Sequence, residues 1–344
     1  MGASENPMLS SASDGRPALF LTDQDVSALS DWGAAIDALR RAYSLPVDPQ
    51  SVPPRSMARA AGGVWLRGLT AISPLDGYLG CKLIAASMQA RRASYLVSLF
   101  DRATMNLDAL IDGNQITGIR TAATAAVAVD ALAPLHPLRI AVLGSGFEAR
   151  AQLTALATAR QIAQVKVFSP TPANRAAFAD HFRRSLEVPV EATVTAQLAL
   201  VDAHVVICAA RARDEVPVLY GSWLEPGMTV VSIGSTLPEQ REVDPVVIQR
   251  AHLIVADMPG EVAHDTGDML AAKAAGVEFT DKLVPLGDII AGRRPTRTAA
   301  ADIAVYKSVG SALQDVVIAE MLLRRARDRG VGTRLPVNIS PVAK

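Results

Sequence analysis

Cysteine is almost absent from this 344-residue chain, occurring only as Cys81 and Cys208. Both lie in apolar stretches, "LGCKLIA" and "VVICAA", which suit buried thiols in a reducing compartment better than a disulfide framework. Net charge is also missing. Lysine plus arginine equal aspartate plus glutamate at 34 each, so no overall field draws nucleic acid or an anionic membrane. No uncharged apolar run reaches the length of a bilayer span, and the nearest, "TAATAAVAVDALAPL", is broken by Asp130 and Pro134. There is no internal repeat and no low-complexity tract. The first twenty residues lack the basic start and apolar core of a signal peptide. Asn6 stands where a myristoylation signal wants Ser or Thr, so residues 1–20 are expected to be a flexible, cytoplasmic N-terminus.

Half of the chain is apolar, which is enough to bury two cores. From Leu21 to Tyr43 the pattern reads as helix, with Thr22 and Asp25 spaced as a capping box and Ile36, Leu39 and Tyr43 on one face. Pro46, Pro49, Pro53 and Pro54 end it. The runs "GGVWLRGLTAI", "GYLGCKLIAAS" and "ASYLVSLFD" predict an antiparallel sheet with Arg55 and Lys82 near its strands. A small-residue helix is expected to begin at Arg120, after the turn chemistry of Asp112-Gly113-Asn114. Beyond Pro137, strand and helix alternate: "RIAVLG", a helix over 148–159, "QVKVFS", a helix over 173–182, "AHVVICAA", "MTVVSIG" and "AHLIVAD". Such alternation predicts a parallel sheet covered on both faces. After Pro295 the chain returns to helix, with Leu313, Val316, Val317 and Met321 on one side and Arg324, Arg325 and Arg327 near its end. That helix is expected to pack back on the first region.

The most specific local signal is "RIAVLGSGFEARAQLTALA". Gly144, Gly146 and Ala149 fill a G-x-G-x-x-A frame between an apolar strand and a helix, suited to a tight turn, backbone approach to a pyrophosphate and close packing. The next strand ends in "FSPTPANR", with no carboxylate for the ribose hydroxyls. Ser169, Thr171 and Arg175 are able to contact a 2′-phosphate, so NADP(H) is expected ahead of NAD(H). Arg55, Lys82 and Arg120 are cations in apolar or Gly/Pro contexts, and together would receive an acid. Arg120 at a helix head would add to an anion site. Each has a plainer alternative: a surface loop for Arg55, a snorkelling strand residue for Lys82, and a salt bridge to Asp112 or Asp130 for Arg120. In "GEVAHDTGD", His264, Asp265 and Asp268 match no common metal spacing, so no metal is expected.

"GNQITGIRTAATAA", the GSGFEARAQ turn, "GSTLPEQREVDP" and "VYKSVGSALQD", in that order over about Leu21 to Gly330, resemble the ornithine cyclodeaminase/mu-crystallin family. The resemblance implies an α/β fold in which a Rossmann-type doubly wound parallel sheet, residues 134–307, is inserted in an α+β substrate-binding and homodimerisation domain of 21–133 plus 308–335, with a tail at 336–344. It implies that Arg55, Lys82 and Arg120 hold a substrate carboxylate beside the nicotinamide, Lys82 being also a possible proton donor. Gly144, Ser145, Gly146, Phe147, Glu148 and Ala149 look like the pyrophosphate turn, Ser169 and Thr171 the adenosine-ribose end, and Ser308 a residue near the nicotinamide. Thr236 stands where the cyclodeaminases have an acid/base aspartate, and threonine is no general base near neutral pH. Glu239, Glu242 or Asp244 would have to substitute. Leu96, flanked by Ser94 and Ser98, takes a strand position that often carries threonine near the cofactor. Trp65 and Arg67 lie in a segment able to line the substrate pocket. The function implied is reduction of the C=N bond of a carboxylate-bearing imine, a 2-oxo acid plus amine, or the reverse amino-acid dehydrogenation. The alternatives are an ornithine or lysine cyclodeaminase with catalytic NAD, and a nucleotide-retaining small-ligand binder.

Overall fold

Two sheets organise the chain in a computed structural model that describes residues 17–336 except 76, 211 and 213, together with 339, 341 and 342. The rest of the expected N-terminal segment and of the 336–344 tail lies outside the described residues. The first sheet has seven strands in the spatial order Thr333–Arg334, Leu19–Leu21, Leu107–Asp112, Arg92–Asp101, Tyr78–Ser87, Val64–Ile72 and Ser56–Ala60. It is antiparallel except where Leu19–Leu21 runs parallel to Leu107–Asp112. Leu19–Leu21 is therefore ordered sheet, and the expected boundary at 20/21 cuts through a strand.

The second sheet has eight strands, all parallel: Leu283–Pro285, Leu253–Ala256, Ala304–Lys307, Thr229–Ser232, Val205–Cys208, Leu138–Leu143, Ile162–Phe168 and Val190–Ala192. The order reverses between Leu138–Leu143 and Val205–Cys208, which opens a crevice at their carboxyl ends. Central strands such as Val205–Cys208, Thr229–Ser232 and Ala304–Lys307 are buried throughout, as expected where helices cover both faces. This is the Rossmann-type doubly wound architecture.

Ser308–Ser311 carries the chain from the second sheet into the helix Ala312–Arg329. That helix is buried at every position from Ala312 to Leu323 and packs against Tyr78–Ser87. It is anchored at its far end by Arg327, which donates to Asp108 at 2.7 Å and to the Tyr78 hydroxyl at 2.8 Å.

Three stretches differ from the sequence expectation. After Pro295 the chain first adds the central strand Ala304–Lys307, its four residues buried between neighbouring strands, and the expected helix begins only at Ala312. The Leu21–Tyr43 segment is two helices, Asp23–Leu29 and Trp32–Ser44, because Ser30 turns extended and Asp31 caps the second helix by accepting from Ala34 N at 2.9 Å. The Thr22/Asp25 capping box is present. The small-residue helix spans Asn114–Leu132, so Arg120 sits a turn and a half inside it and not at its head. Gly118 does not break this helix: a Cβ there would lie 2.5 Å from the Phe147 ring, and the missing side chain is the space that ring fills.

Candidate active site

The glycine turn closes the strand Leu138–Leu143. Gly144 adopts φ +126°, donates its N–H to Phe168 O at 2.8 Å, and leaves no room for a Cβ, which would stand 2.6 Å from Ala209 O. Gly146 is the N-cap of the helix Phe147–Ala159, supplies no side-chain cap, and faces open space, with nothing within 4 Å of a Cβ built there. Ala149 is fully buried beneath it. Uncapped N–H groups of a thirteen-residue helix opening on a space that glycine keeps clear fit the pyrophosphate of a dinucleotide. At the neighbouring strand end, Ser145 Oγ donates to Ser169 Oγ at 2.9 Å, and Arg175 donates to Ser169 O at 2.9 Å while lying 6.0 Å from the Phe168 ring. Thr171 is the N-cap of the helix Pro172–Leu186, its hydroxyl not used in capping.

Facing this turn is a cluster of buried cations. Lys82 projects from Tyr78–Ser87 and is 1% exposed; its Nζ donates to Thr117 Oγ1 at 2.6 Å and to Asp315 Oδ1 at 2.9 Å. Burial pushes the Lys82 ammonium below its ordinary range, with Arg120 and Arg67 adding to the fall and Asp315 opposing it. Arg120 lies 3.5 Å from the same Asp315 oxygen through Nε and donates to Gln314 Oε1 at 3.1 Å. Arg120 pairs with neither Asp112, which accepts from Asn114 N, nor Asp130, which pairs with Arg40 and Arg160. Gly310, at φ +79°, packs against the Arg120 guanidinium, which takes the space a Cβ would need. Arg55 donates to Gly310 O at 3.0 Å and Val309 O at 3.1 Å. Its Nε and backbone N both go to Glu261, so this expected carboxylate receiver is already paired inside the protein.

Ser308 Oγ donates to Asp257 Oδ2 at 2.6 Å; the same oxygen accepts from Gly310 N at 2.8 Å and Gln314 Nε2 at 3.0 Å. Asp257 thus fixes the segment that joins the second sheet to the helix carrying Asp315. Glu148, the second residue of Phe147–Ala159, keeps a buried Oε2 without a hydrogen bond. Its carboxyl is raised by burial, against the pull of Arg120 and Lys82. Beside the cluster lies a cavity of about 620 Å³ bounded by Asp257, Glu261, Ser311 and the apolar Val52, Leu286 and Leu313.

Other sequence expectations are relocated. Leu96, Ser94 and Ser98 alternate with Tyr95 and Val97, and it is Val97 that pairs with Lys82; the three therefore lie on the opposite face from the cations. Trp65 and Arg67 share the cation face, the guanidinium 5.1 Å from the indole. Thr236 spends its hydroxyl on Gln240 Oε1 at 3.1 Å. Glu239 is exposed and Asp244 caps the helix Pro245–Arg250. Glu242 is fully buried, accepting from Ser232 Oγ at 2.6 Å and Gly234 N at 2.9 Å. None of the three is placed to replace the missing aspartate. His264 and Asp265 are exposed, Asp268 is paired with Lys307 at 3.0 Å, and no group of histidine, cysteine or carboxylate side chains among the described residues is arranged to hold a metal. Sequence reasoning missed Asp315, Glu261 and Asp257. Asp315 carried a signal, a carboxylate in a helix stretch otherwise almost wholly apolar.

Fold and site together define a dinucleotide-binding α/β protein with a cation-rich cluster near the glycine turn. The sequence profile of the ornithine cyclodeaminase/mu-crystallin family matches residues 79–330, and the chain belongs to that family. A Delta(1)-pyrroline-2-carboxylate reductase of Bacillus cereus is 28% identical over 311 residues, 90% of this chain and 92% of that one. The ketimine reductase mu-crystallin of Mus musculus is 30% identical over 226 residues, 66% of this chain and 67% of its own. The solved Delta(1)-pyrroline-2-carboxylate reductase of Thermococcus litoralis, in complex with NADH and L-proline, superposes with a TM-score of 0.84 at 25% identity, covering 92% of this chain and all of that one.

Proposed function

We propose that this protein is a nicotinamide-dependent oxidoreductase that reduces the C=N bond of a carboxylate-bearing imine, with NADP(H) preferred. The observation that carries the reading is the placement of Lys82 and Arg120, two cations sharing the single carboxylate of Asp315, opposite a glycine turn shaped for a dinucleotide. One positive charge of that pair is left for a ligand carboxylate. The relatives named for pyrroline-2-carboxylate and ketimine reduction support the same chemistry.

A reduced nicotinamide, when bound at the glycine turn, would supply the hydride. Arg120 and Lys82 hold the substrate carboxylate and thereby fix the imine carbon. As that carbon is reduced, the C=N electron pair passes to nitrogen, which takes a proton. Lys82, its ammonium made more acidic by burial, or Glu148, its carboxyl kept protonated to higher pH by burial, would supply that proton. Arg55 acts by tying Glu261 to the Val309–Gly310 backbone. NADP(H) preference rests on Arg175 at the end of Ile162–Phe168 with no carboxylate beside it to repel a 2′-phosphate. A homodimer rests on the uncovered face of the first sheet, where Leu66, Ile72 and Leu83 stand 39–48% exposed. Two unpaired cysteines suit a cytoplasmic setting.

The test is loss of reduced-nicotinamide absorbance with Δ1-pyrroline-2-carboxylate, and with 2-oxo acids plus ammonia or methylamine, using unsubstituted protein and Lys82→Met. Turnover that Lys82→Met abolishes is expected. Ammonia release from ornithine or lysine with NAD, and no imine reduction, would replace this reading with the cyclodeaminase one; tight ligand binding without either reaction would replace it with the binding-protein one.

A further inference from the structure

Arg67 is the one guanidinium of the cation cluster to which the described residues give no counterion. It projects from Val64–Ile72, is 9% exposed, and forms no hydrogen bond or ion pair among the described residues, with its Nε wholly buried. The Trp65 ring lies beside it at 5.1 Å. Glu261 is the carboxylate within Coulombic reach, but both of its oxygens are committed to Arg55. Glu148 is no substitute, because burial holds its carboxyl toward the neutral form. Burial lowers Arg67 itself to about 10, with Arg55 adding to the fall.

A buried guanidinium left unpaired is costly, and side chains in that condition mark places where a ligand completes the pair. Register sets the spacing. Arg67 pairs with Ile84, and Lys82 pairs with Leu69, so the two cations are diagonal neighbours on the same face of adjacent antiparallel strands, about 7–8 Å apart at the backbone. Arg67 is therefore near enough to meet the far end of a short molecule whose carboxylate lies between Lys82 and Arg120. The charges agree with this layout. Glu261 pairs with Arg55 and Asp315 with Lys82 and Arg120 together, which leaves Arg67 and one of that pair without a carboxylate of its own. The α-carboxylate of the substrate cancels one of them.

We propose that Arg67 binds a second carboxylate of the substrate, so that the imine reduced in this cleft is a short dicarboxylate and the product an acidic amino acid. The assignment rests on the imine-reductase reading and adds to it the class of side chain accepted. An arginine suits the task because its planar fork receives a carboxylate through two parallel hydrogen bonds.

The experiment compares oxaloacetate plus ammonia with pyruvate plus ammonia, following oxidation of reduced nicotinamide by unsubstituted protein, Arg67→Met and Arg67→Lys. In parallel, calorimetric titration with succinate and with propionate, neither of which turns over, reads binding alone. Unsubstituted protein is expected to favour the dicarboxylate in kcat/KM by about 100-fold, the effect of a charge-assisted bidentate pair. Arg67→Met should lose that preference while leaving the pyruvate reaction within about threefold, and Arg67→Lys should recover part of it. Succinate should bind unsubstituted protein more tightly than propionate. Equal use of the two oxo acids, or an equal loss of both in Arg67→Met, overturns the assignment while the imine-reductase reading stands. If neither oxo acid nor any cyclic imine is reduced, yet succinate preference is present and vanishes in Arg67→Met, the reductase reading falls and Arg67 keeps its role. Should Arg67→Met fail to fold, absence of a succinate preference in unsubstituted protein overturns the assignment.

Discussion

Replacing Asp315 by asparagine keeps the volume of the side chain and removes the charge that Lys82, at 2.9 Å, and Arg120, at 3.5 Å, both face. The buried ammonium then keeps Thr117 and a neutral amide oxygen as acceptors but loses its carboxylate partner. Breaking a buried ion pair from one side costs about 3–5 kcal/mol. For lysine the cost has a ceiling, because the side chain can shed its proton. From an ordinary pKa of about 10.4, neutralisation costs about 5 kcal/mol at pH 7 and about 2 kcal/mol at pH 9. In Asp315→Asn the folded pKa of Lys82 lies further below its unfolded value than before, since Asp315 no longer opposes the effect of burial. Between those two values the unfolded chain binds the extra proton, so the stability of the variant rises with pH. Urea unfolding of the two proteins is expected to show a deficit of about 3–5 kcal/mol at pH 7 that shrinks to about 2 kcal/mol at pH 9. Adding Lys82→Met should restore most of the loss, because it removes the ammonium that is 1% exposed and closest to Asp315. A deficit that is the same at pH 7 and pH 9, or a double variant no more stable than Asp315→Asn, would show that Asp315 does not stabilise the fold through the Lys82 charge.

Burial raises the Glu242 carboxyl from 4.5 to about 7. The folded protein therefore holds a proton that the unfolded chain has released across that window, and stability falls as pH rises through it, by roughly 3 kcal/mol in total. Glu242→Gln should flatten this part of the pH profile in urea melts; an unchanged slope counts against it. Arg175→Gln is expected to raise KM for NADPH about tenfold and to leave KM for NADH within about twofold, as a lost charge-assisted contact to phosphate would do. Equal effects on both coenzymes would assign Arg175 to the turn alone. Leu83→Glu, on the uncovered sheet face and 39% exposed in the single chain, should convert a dimer to a monomer in sedimentation velocity, whereas an unaltered dimer would place the interface elsewhere.

The glycine turn is legible in the sequence because a backbone demand leaves a residue-type mark: φ +126° at Gly144 and a carbonyl 2.6 Å from the missing Cβ admit little else. The parallel sheet is legible from runs buried on both faces, and the cations from charge standing in apolar surroundings. What the local pattern does not carry is their counterions. Asp315 is 233 residues from Lys82 and Glu261 is 206 from Arg55, and pairing at such separations is set by how the final helix docks. The same holds for Gly118, which looks like a helix breaker until Phe147, from another helix, is seen filling its place. The break at Ser30–Asp31 has a local signal, an N-cap aspartate before Trp32-Gly33, which the longer apolar period of the segment obscures. Arg67 stands in view as a pocket residue, but its lack of a partner is a property of the assembled fold.

The proposed reaction passes hydride from a reduced nicotinamide to the imine carbon of a substrate held by Lys82 and Arg120. Incubation with coenzyme deuterated at the transferable position, an imine or a 2-oxo acid plus ammonia, and mass spectrometry of the product measures this directly. The expected product is an amino acid bearing one deuteron at its α-carbon, formed by unsubstituted protein and not by Lys82→Met. An amino acid lacking the deuteron, or no amino acid with any imine while coenzyme and ligand bind, would contradict it.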